Sequence, residues 1–224
     1  MTVEGRRSVT VEGRRHVAPE GHRYLAVAAG ATVLAAVLGC GWLAALGLVA
    51  TLFLLNFFRD PDRLTPPGEH LVTAPADGKI VAIVERMRED RFLERECRRV
   101  SIFMSPLDVH VNRVPVSGTV TDVVHRPGQF HAAFLDKASE QNEQNAVLIE
   151  DARGERVLCV QIAGQLARRI VCRLRPGDRV RRGERYGMIM FGSRVDLYLP
   201  LAVTLQVAVG ERVRAGGTVI GTYP

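Results

Sequence analysis

Two patterns of apolar and polar residues divide the chain. From Tyr24 to Phe58 it runs 35 residues without a charge, bounded by Arg23 and Arg59. A spanning helix needs about 20 apolar residues, so this run is too long for one helix and short for two full spans. The sequence GCG at 39–41 splits it into 15 residues (24–38) and 17 (42–58). That predicts two short helices joined at the glycines, a hairpin dipping into or just crossing a bilayer. Basic residues at both ends place both on the cytoplasmic side. A cleaved signal peptide does not fit a run of this length without a small-residue cleavage region behind a short apolar core; a buried soluble hairpin is the other reading. After RDPDRLTPPGEH (59–70), a proline-rich linker, the period changes. Runs such as KIVAIVE, RRVSIFM, GTVTDVVH, NAVLIED, RVLCVQIAG, RVDLYLP and VTLQVAV are separated by turn residues. Such spacing predicts a β-rich sandwich or barrel over 71–224, with a short helix near 137–145 as the exception.

Composition refines this division. Of 224 residues, 47% are hydrophobic, and the net charge is +6 with a pI of about 9.6. The cations are nearly all arginine, with only Lys79 and Lys137 as lysines. Such a balance favours anionic partners, either nucleic acid or an anionic membrane surface. Residues 1–23 repeat TVEGRR at 2–7 and 10–15 and read as a disordered basic tail. Cys40, Cys97, Cys159 and Cys172 have no C-x-x-C spacing, which argues for reduced thiols rather than a zinc site or disulfide framework. No histidine spacing suits a metal.

PGDRVRRGERYG (176–187) returns 33 residues later as VGERVRAGGTVIG (209–221), each with the pattern G-[DE]-R-V-R-x-G. Such turn–strand–turn units resemble those of biotin- and lipoate-carrying domains, which implies a barrel-sandwich-type architecture. Within it, DKA at 136–138 resembles a carrier lysine motif, making Lys137 the acceptor in a membrane-tethered carrier reading.

Other residues stand out singly. His110, between Val109 and Val111, points to the opposite face from them. Asp77 precedes Gly78 at the head of a strand, where a turn aspartate is the ordinary explanation. Gly192 and Ser193 interrupt an otherwise good strand, MIMFGSRVDLYLP.

Taken in order, APADGKI, SIFMSPLDVHVNRVPVSGTV, FLDKASEQNEQN and FGSRVDLYLP resemble the signatures of phosphatidylserine decarboxylase proenzymes of the short, bacterial and archaeal-type branch. The resemblance spans about 55–224. It implies a membrane lyase with its β domain on the cytoplasmic face, acting on phosphatidylserine rather than nucleic acid. An ether-linked serine phospholipid is an alternative substrate. It also implies self-cleavage between Gly192 and Ser193. The two fragments, 1–192 and 193–224, would remain as a heterodimer, with a Schiff-base-forming pyruvoyl cofactor made from Ser193 and no metal. Asp77 would orient or deprotonate during cleavage, and His110 would act as a general base or protonate the product carbanion. Longer members carry H-x-x-H-x-P, whereas here the second histidine position is Arg113, a poor base but a good anion ligand. Arg113, Lys137, Asn142 and Glu143 are the candidate substrate-binding residues. Arg194 departs from the Ser or Thr of longer members.

Overall fold

A computed structural model describes residues 16–128, 142–164, 169–190 and 193–224. Lys137, Gly192 and most of the basic tail lie outside them. The described chain divides into a helical unit (16–62 with 107–109) and a β unit (63–106 and the described residues from 110 to 224).

In the helical unit a 3-10 turn at Pro19–Gly21 leads into α1 (His22–Val37), and α2 follows at Gly41–Phe57. Both are apolar with no charge in their interior. Thr32 and Thr51 bring their hydroxyls to 3.4 Å between the helices. Their lengths, 16 and 17 residues, correspond to about 24–26 Å at 1.5 Å per residue. The hydrocarbon core of a bilayer is about 30 Å thick. Among the described residues no helix is long and apolar enough to cross a membrane, so the crossing form of the expected hairpin is corrected.

The β unit is mainly β, as its alternating runs predict. Its strands are β1 (Leu71–Thr73), β2 (Gly78–Glu89), β3 (Arg95–Met104), β4 (Val111–Arg113), β5 (Gly118–Arg126), β6 (Gln144–Glu150) and β7 (Arg156–Ala163), then β8 (Ile170–Cys172), β9 (Arg179–Val180), β10 (Arg185–Ile189), β11 (Ser193–Pro200), β12 (Thr204–Leu205), β13 (Arg212–Val213) and β14 (Val219–Thr222). The helix expected near 137–145 is not supported where it can be seen, because Gln144 and Asn145 open β6. Eight strands form one antiparallel sheet in the order β13-β2-β3-β11-β7-β6-β5-β9. Two three-stranded sheets, β1-β14-β12 and β4-β10-β8, accompany it.

This order reads the same from both ends, because the unit is built twice. The first copy is β1–β3 with β11–β14, and the second is β4–β6 with β7–β10. His70-Leu-Val-Thr-Ala-Pro-Ala-Asp-Gly matches His110-Val-Asn-Arg-Val-Pro-Val-Ser-Gly, 40 positions on. The ladders agree in detail. Thr73 N donates to Pro115 O, and Arg113 N donates to Pro75 O. Bulges follow Ile80 in β2 and Val120 in β5. The two G-[DE]-R-V-R-x-G turns place β9 and β13 at opposite edges of the large sheet. Gly78 and Gly118 head their strands because a Cβ would meet the Phe103 or Glu150 carbonyl oxygen, at 2.1 and 2.2 Å.

Alternation on β11 divides the core. Val195, Leu197 and Leu199 join the main apolar cluster with Ile102, Met104, Val147, Cys159 and Ala163. Arg194, Asp196 and Tyr198 face the other side, where Tyr198 packs on a smaller cluster containing Leu158, Val160 and Ile162. All four cysteines are free, as expected. Burial, followed by the neighbouring Cys172, pushes the Cys159 thiol far up, and burial also raises Cys172. Neither is a thiolate near neutral pH.

Candidate active site

The ladders bring Ser193, Asp77, Asn142 and Glu143 toward one end of the large sheet. Ser193, the first residue of β11, lies opposite Met104 on one side and Ala163 on the other. One position further in, Arg194 pairs with Phe103, and Phe103 pairs with Lys79. Asp77, two residues before Lys79, is therefore about two strand spacings, or about 10 Å, from the Ser193 backbone. On the other side the Ala163 N–H donates to the Glu143 carbonyl (2.9 Å), and its carbonyl accepts from Asn142 Nδ2 (2.7 Å). Asn142, through its side-chain amide, and Glu143, through its carbonyl, thus hold the end of β7 beside Ser193. The Glu143 carboxylate lies 3.5 Å from His125 Nε2.

Ser193 is fully buried, and its Oγ has no hydrogen-bond partner among the described residues. A hydroxyl left so in a core is costly and calls for an explanation. His110 is also fully buried, and its carbonyl accepts from Ile189 N at 3.3 Å. That bond sets it against the end of β10, four residues before Ser193.

Asp77 is held at both oxygens: Oδ1 accepts from Ala215 N (2.8 Å) and Oδ2 from Arg63 Nη2 (2.6 Å). The second copy shows what the turn alone requires. There Ser117 stands in place of Asp77, and its Oγ accepts from Arg182 N at 3.1 Å, the equivalent of the Ala215 bond. A serine suffices to close this turn. The carboxylate and its arginine therefore exceed the structural need. Arg63 belongs to the linker and was not legible as a site residue.

Arg113 donates from Nη1 to Gly183 O at 3.0 Å. Arg194, whose charge had no evident place in the sequence, is buried against Asp196, with Nε 2.9 Å from Oδ1 and Nη2 donating to Oδ2 at 3.0 Å. The pair lies on the outer face of β11, two residues apart, and so turns Ser193 to the inner face. Asp196 also helps burial push the Tyr198 phenol up to about 12, against the pull of Arg99.

Sequence reasoning also missed a buried carboxamide row. Asn145 Nδ2 donates to Gln161 Oε1 (3.0 Å), and Gln161 Nε2 donates to Asn112 Oδ1 (2.8 Å). The only available signal was one glutamine in the apolar run RVLCVQIAG.

Comparison with known proteins identifies the family. The phosphatidylserine decarboxylase family model matches residues 50–221. A phosphatidylserine decarboxylase proenzyme of Syntrophus aciditrophicus is 51% identical over 199 residues, 88% of this chain and 93% of that protein. Those of Nitratidesulfovibrio vulgaris and Nitrosomonas europaea are 50% and 49% identical, over 85% and 82% of this chain and 87% and 84% of theirs. With a family match over most of its length and half its residues shared with such relatives, the chain belongs to the phosphatidylserine decarboxylase family.

Proposed function

We propose that this protein decarboxylates phosphatidylserine to phosphatidylethanolamine, in phospholipid biosynthesis, after cutting itself between Gly192 and Ser193. The observation that carries the reading is Ser193. It is a buried hydroxyl without a partner among the described residues, on the first residue of a central strand clamped on both sides by ladders.

The chemistry follows from those positions. Ser193 Oγ adds to the preceding carbonyl carbon, the C–N bond breaks, and the hydroxyl proton ends on the released amine. Asp77 orients or accepts that proton. Loss of the Cα proton then breaks the Cβ–O bond, releasing the 1–192 carboxylate. Water replaces nitrogen as ammonia, leaving a pyruvoyl group at the head of 193–224. The site fits such a group, because Ser193 is enclosed yet its side chain makes no hydrogen bond among the described residues, so reshaping it breaks none of those. The pyruvoyl group would supply a carbonyl that draws off the electrons left when CO2 departs. His110 would return a proton to the carbon that lost CO2. Arg113, Asn142, Glu143 and Lys137, the last outside the described residues, are the proposed substrate contacts.

A lipid substrate gives the helical unit a purpose. Val27, Val37, Leu38 and Trp42 are each more than two-thirds exposed, which supports α1 and α2 lying in the cytoplasmic leaflet of the cell membrane rather than crossing it. The paired G-[DE]-R-V-R-x-G turns support a barrel-sandwich-type frame for 71–224. The 1–192 and 193–224 fragments form its two-chain mature state.

Mass spectrometry of the purified protein tests the reading. Two chains are expected, the shorter beginning with a pyruvoyl group, and Ser193→Ala should stay whole and inactive. A folded, active protein that remains one 224-residue chain would overturn it.

A further inference from the structure

The carboxamide row does not end at Asn112. With Oδ1 taken by Gln161, the amide nitrogen of Asn112 faces the Met104 sulfur at 3.7 Å. A thioether is a weak acceptor, and Asn112 is fully buried. The donor is therefore poorly used in an apolar core, which carries a desolvation cost.

Its location follows from the ladders. Met104 pairs with Ser193, and Gln161 pairs with Val195. Strand β11 runs between β3 and β7, so a side chain bonded to Met104 and to Gln161 lies over β11 between residues 193 and 195. The acceptor end of Asn112 is turned toward Val195 and its donor end toward Ser193. Ser193 Oγ, on this same inner face, is a buried oxygen that lacks a partner among the described residues.

The second copy serves as an internal control. Asn112 corresponds to Val72, and Gln161 corresponds to Leu199; both are fully buried members of the apolar core. The fold therefore needs only apolar side chains at these two positions. The amides occur only at the end of the sheet that carries Ser193. Gly187 makes room for them, since a Cβ there would lie 3.2 Å from Gln161 Nε2 and 2.1 Å from Val171 O.

We infer that Asn112, set by Gln161 and Asn145, is a catalytic donor for self-cleavage, its amide N–H engaging Ser193 Oγ. The bond stabilises negative charge on that oxygen twice. The first occasion is when the hydroxyl proton is taken and Oγ attacks. The second is when the Cβ–O bond breaks and the same oxygen leaves as part of a carboxylate. This inference rests on the self-cleavage reading and adds to it the group that stabilises the oxygen.

The test uses full-length protein and chain separation in hydroxylamine, which cuts an ester or thioester and so reports the first step alone. Asn112→Ala should slow separation by about 10²-fold, the effect of losing one such donor. In a Ser193→Cys background the same substitution should slow it less than about fivefold. A thiol ionises far more readily and its sulfur accepts hydrogen bonds weakly. Equal slowing in both backgrounds would mean a structural role and overturn the inference, as would no slowing in either. Thermal melting of the uncut Ser193→Ala chain, with and without Asn112→Ala, checks the fold. If alanine prevents folding, Asn112→Leu, with the same branched arrangement of side-chain heavy atoms, carries the same comparison. An unsubstituted chain that never separates would overturn the self-cleavage reading instead.

Discussion

The Arg194–Asp196 pair offers the sharpest energetic test of the site. Both side chains are 2% exposed or less, and they meet at 2.9 Å. Charges so enclosed have lost their hydration, so removing one partner strips the other of its closest counter-charge, at a cost of about 3–5 kcal/mol. Against a typical total stability of about 5–15 kcal/mol, that is a large fraction. In a domain of this size it corresponds to a fall in Tm of roughly 10 °C. Replacing both with apolar residues of similar volume removes the desolvation penalty along with the attraction, so the double change should be close to neutral. The assay is urea unfolding of the uncut Ser193→Ala chain carrying Asp196→Leu, Arg194→Met, or both. A second readout comes from Tyr198. Its phenol is held up to about 12 by burial and then by Asp196, so Asp196→Leu should lower its titration midpoint, read by absorbance of the phenolate. Asp196→Leu costing less than about 1 kcal/mol, or a double variant as unstable as the two singles combined, would refute the reasoning. In chains that retain Ser193, the single variants should also cleave more slowly, because the pair fixes the face on which Ser193 lies.

Other outcomes follow from the same structure. Asp77→Ser should keep the turn at Ala215, as Ser117 keeps its own at Arg182; SDS gel analysis should show cleavage slowed by about 10²-fold or more in a chain whose melting changes little. Gly78→Ala should destabilise strongly, because the new Cβ would sit 2.1 Å from Phe103 O at a φ of +154°; circular dichroism melting will show it. Tyr186, Tyr198 and Tyr223 all have phenols raised chiefly by burial. A raised acid is favoured neutral in the fold, so this stabilisation is complete below about pH 10, the unfolded value. It is lost as pH climbs toward the folded values, and urea midpoints should therefore fall between pH 10 and 12.

Much of this was legible in the sequence because it is local. Alternation on RVDLYLP gives β11 and its two faces, and the ordered motifs single out Asp77, His110 and Ser193. The turn repeat at 176–187 and 209–221 was visible because its glycines and charges recur. Its companion, 70–78 against 110–118, was obscured because only His, Pro and Gly remain in common. Arg194 looked out of place until Asp196 was seen two residues on, on the same face. Asn112 and Gln161 are meaningful only as a pair, 49 positions apart in sequence, and a single strand's pattern carries no record of its cross-sheet partner. Arg63 was unreadable for the same reason.

The double construction has a consequence for how the molecule lasts. Ser193 opens the second half of the first copy, so a cut before it falls at a joint between copies rather than within one. In the whole chain residues 193–224 pair along β11 with β3 from Ser193 to Pro200 and with β7 from Ser193 to Tyr198, and they add β13 and β14 to β2 and β1, so on the proposed cut these ladders would hold the two fragments together. As one chain, the protein can unfold and refold as a unimolecular event. Once divided, recovery requires two chains to find each other and rethread a central strand, a bimolecular process dependent on concentration. The persistence of the mature form would then be set by its unfolding rate rather than by an equilibrium.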